Sequence, residues 1–251
     1  MAEFSPASDA YSTITGTSLD NARDSGTTVT MNFVPGPSGP YQYTYVVARN
    51  FTAVNFFAVY RGHMFFDLSG AEAGTIASAT LRLYAYSSDS GGTENNGHKF
   101  YVTGHDYGGT LNAALDDINP TNKAAGDWTS TSVPTYSSEI TVDGVSAGDL
   151  ISVPLNSDAI TDINSALTSD DFDIGLISHY DYKDDFTLTP SIVSGVGYNG
   201  VVVASQDHAT SARRPVLELN YVGSTTGPFK IQAGARVQVS SGKLFLGQTI
   251  A

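Results

Sequence analysis

The sequence of 251 residues contains no cysteine and a single tryptophan, and its 12 lysines and arginines face 25 aspartates and glutamates. Without cysteine the chain forms neither disulfide bonds nor thiolate metal sites. The net charge of −13 argues against nucleic acid and anionic membranes as partners, because both require clustered basic residues. No apolar run approaches the roughly 20 residues of a membrane-spanning helix. Residues 1–6 lack the basic and apolar regions of a secretory signal, so we expect synthesis in the cytoplasm.

Hydrophobic residues nevertheless make up 41% of the chain and aromatic residues 11%, which is enough to bury a sizeable core. Their spacing is that of half-buried strands. Leu81, Leu83 and Ala85 alternate with polar or tyrosine side chains, and Leu217, Leu219 and Tyr221 do the same near residue 220. The sequence therefore predicts an all-β protein, a sandwich or a barrel.

Turn-forming stretches of glycine, serine, asparagine and aspartate separate the predicted strands. Strands are predicted at residues 43–47, 54–60, 63–68, 78–86, 99–103, 150–154, 173–178, 200–204 and 216–221. One short helix is predicted after the capping residues 156–158, with Ile160, Ile163 and Leu167 at helical spacing.

The composition changes after Tyr221. Residues 222–228 are predicted to be a linker, and residues 229–251 a C-terminal β-hairpin after a short strand. Residues 222–251 contain three basic residues and no acidic one, so this tail carries +3; the rest, with nine basic and 25 acidic residues, carries −16. A hairpin of this size needs a surface to pack on. The docking residues that we predict are Phe229, Ile231, Arg236, Val237, Val239, Leu244, Phe245 and Leu246. They pack either on the chain's own sandwich or on another protein.

No catalytic site is predicted. A Gly-x-Ser-x-Gly elbow is absent, and the string 178–181 (Ser-His-Tyr-Asp) cannot form a triad by adjacency, because neighbours in an extended segment point to opposite faces. For glycans, Trp128, Tyr180 and Tyr182 are the candidate contacts, since sugar sites use aromatic platforms; Tyr107 and Tyr136 are further candidates. No metal-ligand motif is present, but a structural calcium ion is an alternative, because acidic residues cluster on turns. These residues are Asp170, Asp171, Asp173, Asp181, Asp184 and Asp185.

One stretch is similar to a known family. Residues 61–69 (Arg-Gly-His-Met-Phe-Phe-Asp-Leu-Ser) and 74–84 (Gly-Thr-Ile-Ala-Ser-Ala-Thr-Leu-Arg-Leu-Tyr) resemble the signature of DNRLRE-type domains. Residues 8–11, 171–176 and 213–221 are similar to the family's first, late and closing strands, although its Arg-rich motif is not present as such.

The resemblance implies a jelly-roll β-sandwich related to carbohydrate-binding modules, here over residues 1–221. With the appended hairpin, it most resembles the phage-encoded members. We therefore expect a virion structural protein, such as a capsid decoration, head fibre or tail-associated protein. Its partners would be a major capsid or tail protein and further copies of itself in a homo-oligomer, with host-surface glycans as an additional contact. The alternative is an extracellular carbohydrate-binding module of a bacterial surface or secreted protein.

Overall fold

The computed structural model describes residues 1–16, 28–34, 43–51, 56–87, 99–105, 134–142, 144–183, 197–222, 236–240 and 243–247. Strands dominate this part of the chain, and almost all of them pair antiparallel in one curled, continuous arrangement. The strands are β1 Ala2–Phe4, β2 Ser8–Gly16, β3 Thr28–Val34, β4 Tyr43–Phe51, β5 Phe56–Asp67, β6 Ile76–Ser87, β7 Lys99–His105, β8 Ile140–Thr141, β9 Leu150–Pro154, β10 Asp171–Ser178, β11 Gly197–Ala204, β12 Val216–Tyr221, β13 Arg236–Ser240 and β14 Lys243–Gly247. The helices are α1 Ser157–Ala166 and α2 His179–Lys183.

The strands form the two layers of a sandwich, which confirms the all-β prediction. One layer has the order β1-β12-β6-β9, and the other runs β3-β2-β5-β10-β7-β8. Strand β4 pairs with the first half of β5 and with β11, and β11 also pairs with the end of β6. This last pairing joins the two layers through the end of β6, so the sheet curls around a shared core.

The core lies between the layers and is built from alternate residues of the strands. Leu81, Leu83 and Ala85 are buried as the alternation predicts. Leu217 and Leu219, which pair with Leu81 and Ala79, are fully buried. The facing layer contributes residues such as Met64, Phe66, Phe100, Val102, Phe172, Ile174 and Leu176.

Gly104 shows how closely one edge of this core is packed. A Cβ atom at Gly104 would lie 2.3 Å from Cζ of Tyr136, a residue of the core. The Tyr136 ring also stacks on Phe172, with ring centres 5.7 Å apart. Tyr136, a candidate sugar contact in the sequence, is therefore a core residue that is 4% exposed.

Two differences from the predicted elements have clear physical causes. The strands predicted at 54–60 and 63–68 are a single strand, β5, because Gly62 does not make a turn. It lies inside the strand where other chain segments approach closely, and a Cβ atom there would be 2.8 Å from Thr44 Cγ2. In addition, helix α2 follows β10 directly, so the described residues contain a second short helix besides the predicted one.

Candidate functional site

The C-terminal hairpin is present as predicted. Strands β13 and β14 pair antiparallel, and the register sets Val237 opposite Leu246 and Val239 opposite Leu244. Directly opposed residues share a face of an antiparallel pair, so the register places four apolar residues together. Arg236 is opposite Gly247, and Phe245 is opposite Gln238. The predicted docking residues Phe229 and Ile231 lie outside the described residues.

The hairpin forms a sheet of its own. Among the described strands, β13 and β14 hydrogen-bond only to each other, and the other twelve form the sandwich. Neither outer edge of the hairpin therefore pairs with a strand of the described sandwich. An exposed strand edge offers N–H and C=O groups to a further strand.

A polar surface lies where helix α2 begins directly after β10. It is centred on Glu139 and comprises Lys99, Tyr101, Glu139 and His179, which we call the Glu139 cluster. Lys99 Nζ is 2.6 Å from Oε1 of Glu139, the Tyr101 hydroxyl donates to Oε2 over 2.8 Å, and His179 Nδ1 also contacts Oε2. The side chains of Lys99, Glu139 and His179 are between 24% and 34% exposed, so solvent and solutes reach them.

The electrostatics of the cluster favour an ionised Glu139. Partial burial alone would raise the pKa of Glu139, but the hydrogen bonds from Lys99 and Tyr101 and the proximity of His179 outweigh it and lower the pKa to about 2. Burial, and then the hydrogen bond to Glu139, raise the pKa of the Tyr101 hydroxyl. The cluster is thus an anchored carboxylate surrounded by donors.

Aromatic rings pack beside this cluster. Tyr101 and Tyr182 lie with ring centres 4.7 Å apart, and the His179 ring stacks on Tyr101 at 6.1 Å. Lys183 Nζ is 5.5 Å from the centres of both tyrosine rings. Tyr182, a candidate glycan contact, is only 4% exposed. A sugar would therefore reach its ring only if the residues packed around the ring moved.

The other two candidate glycan contacts lie partly or wholly outside the described residues. Tyr180 lies in α2, between His179 and Asp181, and only its backbone is described. Trp128 lies outside the described residues, as does Tyr107.

Helix α2 is anchored to the sheet by a buried ion pair. Arg61 Nε donates to Asp181 Oδ2 over 2.7 Å and Nη2 donates to Oδ1 over 2.9 Å, and both side chains are fully buried. Such a two-pronged pair fixes the orientation of both groups. It determines where α2, and with it His179 and Tyr182, lies on the sheet.

A serine–histidine pair lies next to Arg61. Ser12 Oγ is 2.9 Å from Nε2 of His63, and both residues are fully buried. Burial and the charge of Arg61 lower the pKa of His63 to about 3. A general base needs a pKa near the working pH and access to substrate; this pair has neither, and it serves to satisfy buried polar groups.

Of the acidic residues that suggested calcium, those in the described ranges do not come together as a metal site. Asp181 is bound by Arg61, Asp171 is exposed, and Asp173 is buried. Asp170 has a positive φ of 69° in the turn between α1 and β10. In the described part of the chain no three histidine or acidic side chains form a group that could hold a metal. Asp184 and Asp185 lie outside it.

Sequence reasoning missed the Glu139 cluster because its members are distant in the chain. Lys99 and Tyr101 come from β7, Glu139 precedes β8, and His179 begins α2. The sequence drew attention only to His179, as a member of the string 178–181. It argued against a catalytic triad there and did not indicate that His179 contacts Glu139.

No known protein-family profile matches the sequence, and no curated protein matches it significantly. The similarity to DNRLRE-type domains therefore rests on the sequence motifs and stays a prediction. In the described part of the chain, no helix has the length and apolar character needed to cross a membrane.

Proposed function

We propose that this chain is a structural protein of a phage particle, attached to a neighbouring protein through its C-terminal hairpin. The observation that carries the docking is the isolation of β13 and β14, which hydrogen-bond to each other and to no other described strand. The phage setting is supported by the similarity of residues 61–84 to DNRLRE-type domains. The neighbouring protein would be a major capsid or tail protein, or another copy of this chain.

The stability of a two-stranded ribbon argues for a partner. An isolated hairpin is marginally stable in water, because it buries little apolar surface. This one pairs Val237 with Leu246 and Val239 with Leu244, and such residues gain about 1.5–3 kcal/mol each when fully buried. A strand of a neighbouring protein would satisfy both the free edge and the apolar residues.

Charge supports the same arrangement. The tail of residues 222–251 carries +3 and the rest of the chain −16. Opposite charges speed the encounter of two surfaces and favour the correct orientation. An acidic patch on a capsid protein, or the acidic sandwich of a second copy, would attract the tail.

The experiment compares Val239→Lys with Gln238→Lys in the full chain. Both substitutions add one positive charge to β13, but only the first removes an apolar residue. We expect Val239→Lys to abolish oligomers in light scattering, or incorporation into purified particles, and Gln238→Lys to retain them. Equal behaviour of both variants and of the unaltered chain would overturn the docking proposal. Capsid or tail genes beside this gene would support the phage setting independently, and a secretion operon would contradict it.

A second candidate function is glycan binding at the α2 surface. The observation that favours it is the set of partly exposed polar side chains of Lys99, Glu139 and His179, which lie beside the buried rings of Tyr101 and Tyr182. Sugars are bound by aromatic rings together with groups that hydrogen-bond to hydroxyls.

A glycan array tests this candidate. We expect binding that is lost in Tyr180→Ala, a substitution within helix α2. Tyr86→Ala serves as the control, because Tyr86 is an exposed tyrosine on β6. An array without signal, or loss of binding in the control as well, would reject the α2 surface as a sugar site.

A further inference from the structure

Asp9, near the start of β2, is a carboxylate in an unusual setting. Its side chain is fully buried, and its Oδ2 accepts a hydrogen bond from the backbone N–H of Gln206 over 2.8 Å. Its second oxygen, Oδ1, has no hydrogen-bond partner, and neither does the buried Oδ2 of Asp207. No lysine, arginine or histidine in the described ranges forms an ion pair with either aspartate.

The two carboxylates lie on adjoining segments, because Gln206, whose backbone N–H donates to Asp9, is the residue before Asp207. Burial, partly offset by the hydrogen bond from Gln206 and reinforced by the charge of Asp207, raises the pKa of Asp9 to about 7. A buried carboxylate without a counter-charge is strongly unfavourable. The arrangement therefore calls for a positive charge between two chain segments that are remote in sequence.

The turn that carries Asp207 is well ordered by local hydrogen bonds. The N–H of Asp207 donates to Ser205 Oγ over 3.3 Å, and the N–H of His208 donates to the carbonyl of Ser205 over 3.1 Å. These bonds order the turn itself, and the hydrogen bond from Gln206 to Asp9 joins the turn to the start of β2.

We propose that Asp9 and Asp207 together bind one divalent cation of the calcium type. Hard cations of this kind take six to eight oxygen ligands, roughly 2.3–2.6 Å away, from carboxylates, backbone carbonyls and water. Two carboxylates neutralise the ion, and their unsatisfied oxygens, Asp9 Oδ1 and Asp207 Oδ2, supply the first ligands. Carbonyl and water oxygens complete the shell, since the described residues provide no third acidic or histidine ligand.

The ion would have a mechanical role. It would join β2 to the turn after β11, adding a link between an N-terminal strand and the strand that connects the two layers. This site differs from the acidic stretch 170–185 that the sequence suggested, and it does not depend on docking by the hairpin.

Calorimetric titration of the full chain with calcium chloride, after removal of metals with EDTA, tests the proposal. We expect one site per chain, and a melting temperature that rises with calcium and falls again with EDTA. Asp9→Asn and Asp207→Asn should each weaken binding by about tenfold or more, the scale seen when even indirect metal contacts are lost. Asp171→Asn is the matched control, because Asp171 is an exposed aspartate on β10.

The proposal fails if the unaltered chain neither binds calcium nor changes its melting temperature with it. It also fails if both asparagine variants bind as the unaltered chain does, or if Asp171→Asn weakens binding equally. Should Asp9→Asn not fold, the titration of the unaltered chain and the Asp207→Asn variant decide. Stabilisation by acid in place of calcium would show that a proton shared by the two carboxylates occupies the position, and would overturn the cation site.

Discussion

Arg61 and Asp181 form the ion pair that holds helix α2 on the sheet, and both side chains are fully buried. Removing water from two charges is costly, so such a pair adds little net stability when intact. Breaking it is strongly destabilising, because the remaining charge stays buried. The pair therefore matters chiefly for where α2 lies.

Replacing Asp181 with asparagine should lower the free energy of unfolding by about 3–5 kcal/mol, because Arg61 would be left as an uncompensated buried charge. Urea denaturation measures this. The control is Glu218→Gln, which breaks the partly exposed pair of Glu218 with Arg82 and should cost no more than about 1 kcal/mol. Similar losses of unfolding free energy in both variants would show that removal of Asp181 does not leave Arg61 as an uncompensated buried charge.

His63 makes the free energy of unfolding of the sandwich depend on pH. Its pKa is about 3 in the folded protein, against about 6.5 in an unfolded chain. Below pH 6.5 the unfolded chain takes up a proton that the folded protein does not, so stability falls as the pH drops from 6.5 towards 3.

The variant His63→Gln removes this titration. We expect its unfolding free energy to fall less steeply between pH 6.5 and 4 than that of the unaltered chain, by up to about 1.4 kcal/mol per pH unit. Urea unfolding at a series of pH values gives the two slopes, whatever the loss of stability at neutral pH. Parallel curves would mean that His63 is not held neutral.

At the scale of elements, helix α1 shows how local chemistry places a helix end. Asn156 Oδ1 accepts hydrogen bonds from the N–H groups of Asp158 and Ala159, 3.1 Å each. Its amide nitrogen donates to the carbonyl of Thr135 over 2.6 Å, which also ties the helix to the segment before Tyr136. One side chain thus begins the helix and attaches it.

Asn156→Ala should destabilise the protein by about 1–2 kcal/mol, through loss of the cap. Ser157→Ala is the control, because the exposed Ser157 is the next residue and does not cap the helix; it should change stability by no more than about 0.5 kcal/mol. Thermal or urea unfolding measures both. A small effect of Asn156→Ala would show that tertiary packing alone holds α1.

At the scale of the whole molecule, the sandwich and the hairpin are separate hydrogen-bonded sheets. Strand β12 ends at Tyr221, and Val222 N–H still donates to the carbonyl of Thr75 over 2.7 Å. The described sandwich therefore extends through Val222, the first residue of the predicted linker.

Deletion of residues 223–251 should leave the melting temperature of the sandwich unchanged, because no described sandwich strand loses a pairing partner. Differential scanning calorimetry of the full and shortened chains measures this. A fall of several degrees would indicate that the hairpin packs on its own sandwich, and would contradict docking to a neighbouring protein.

The strand and helix positions were largely predictable, because they depend on local spacing. Residues 150–154 and 216–221 form strands with the predicted bounds. Gly62 is the instructive failure: a glycine between two apolar runs is typical of a turn, but here it makes room for Thr44 and Leu176 inside a strand. Close approach between segments leaves no local signal.

The sequence by itself determined the all-β class, the capped helix and the hairpin, because alternation, capping and turn residues act between near neighbours. Only the tertiary structure decided which polar residues meet. Strand register and burial bring Asp181 to Arg61, Glu139 to His179, and Asp9 to the backbone of Gln206. Those partners are far apart in the chain, and no short-range pattern specifies which distant segment will cover a given face of a sheet.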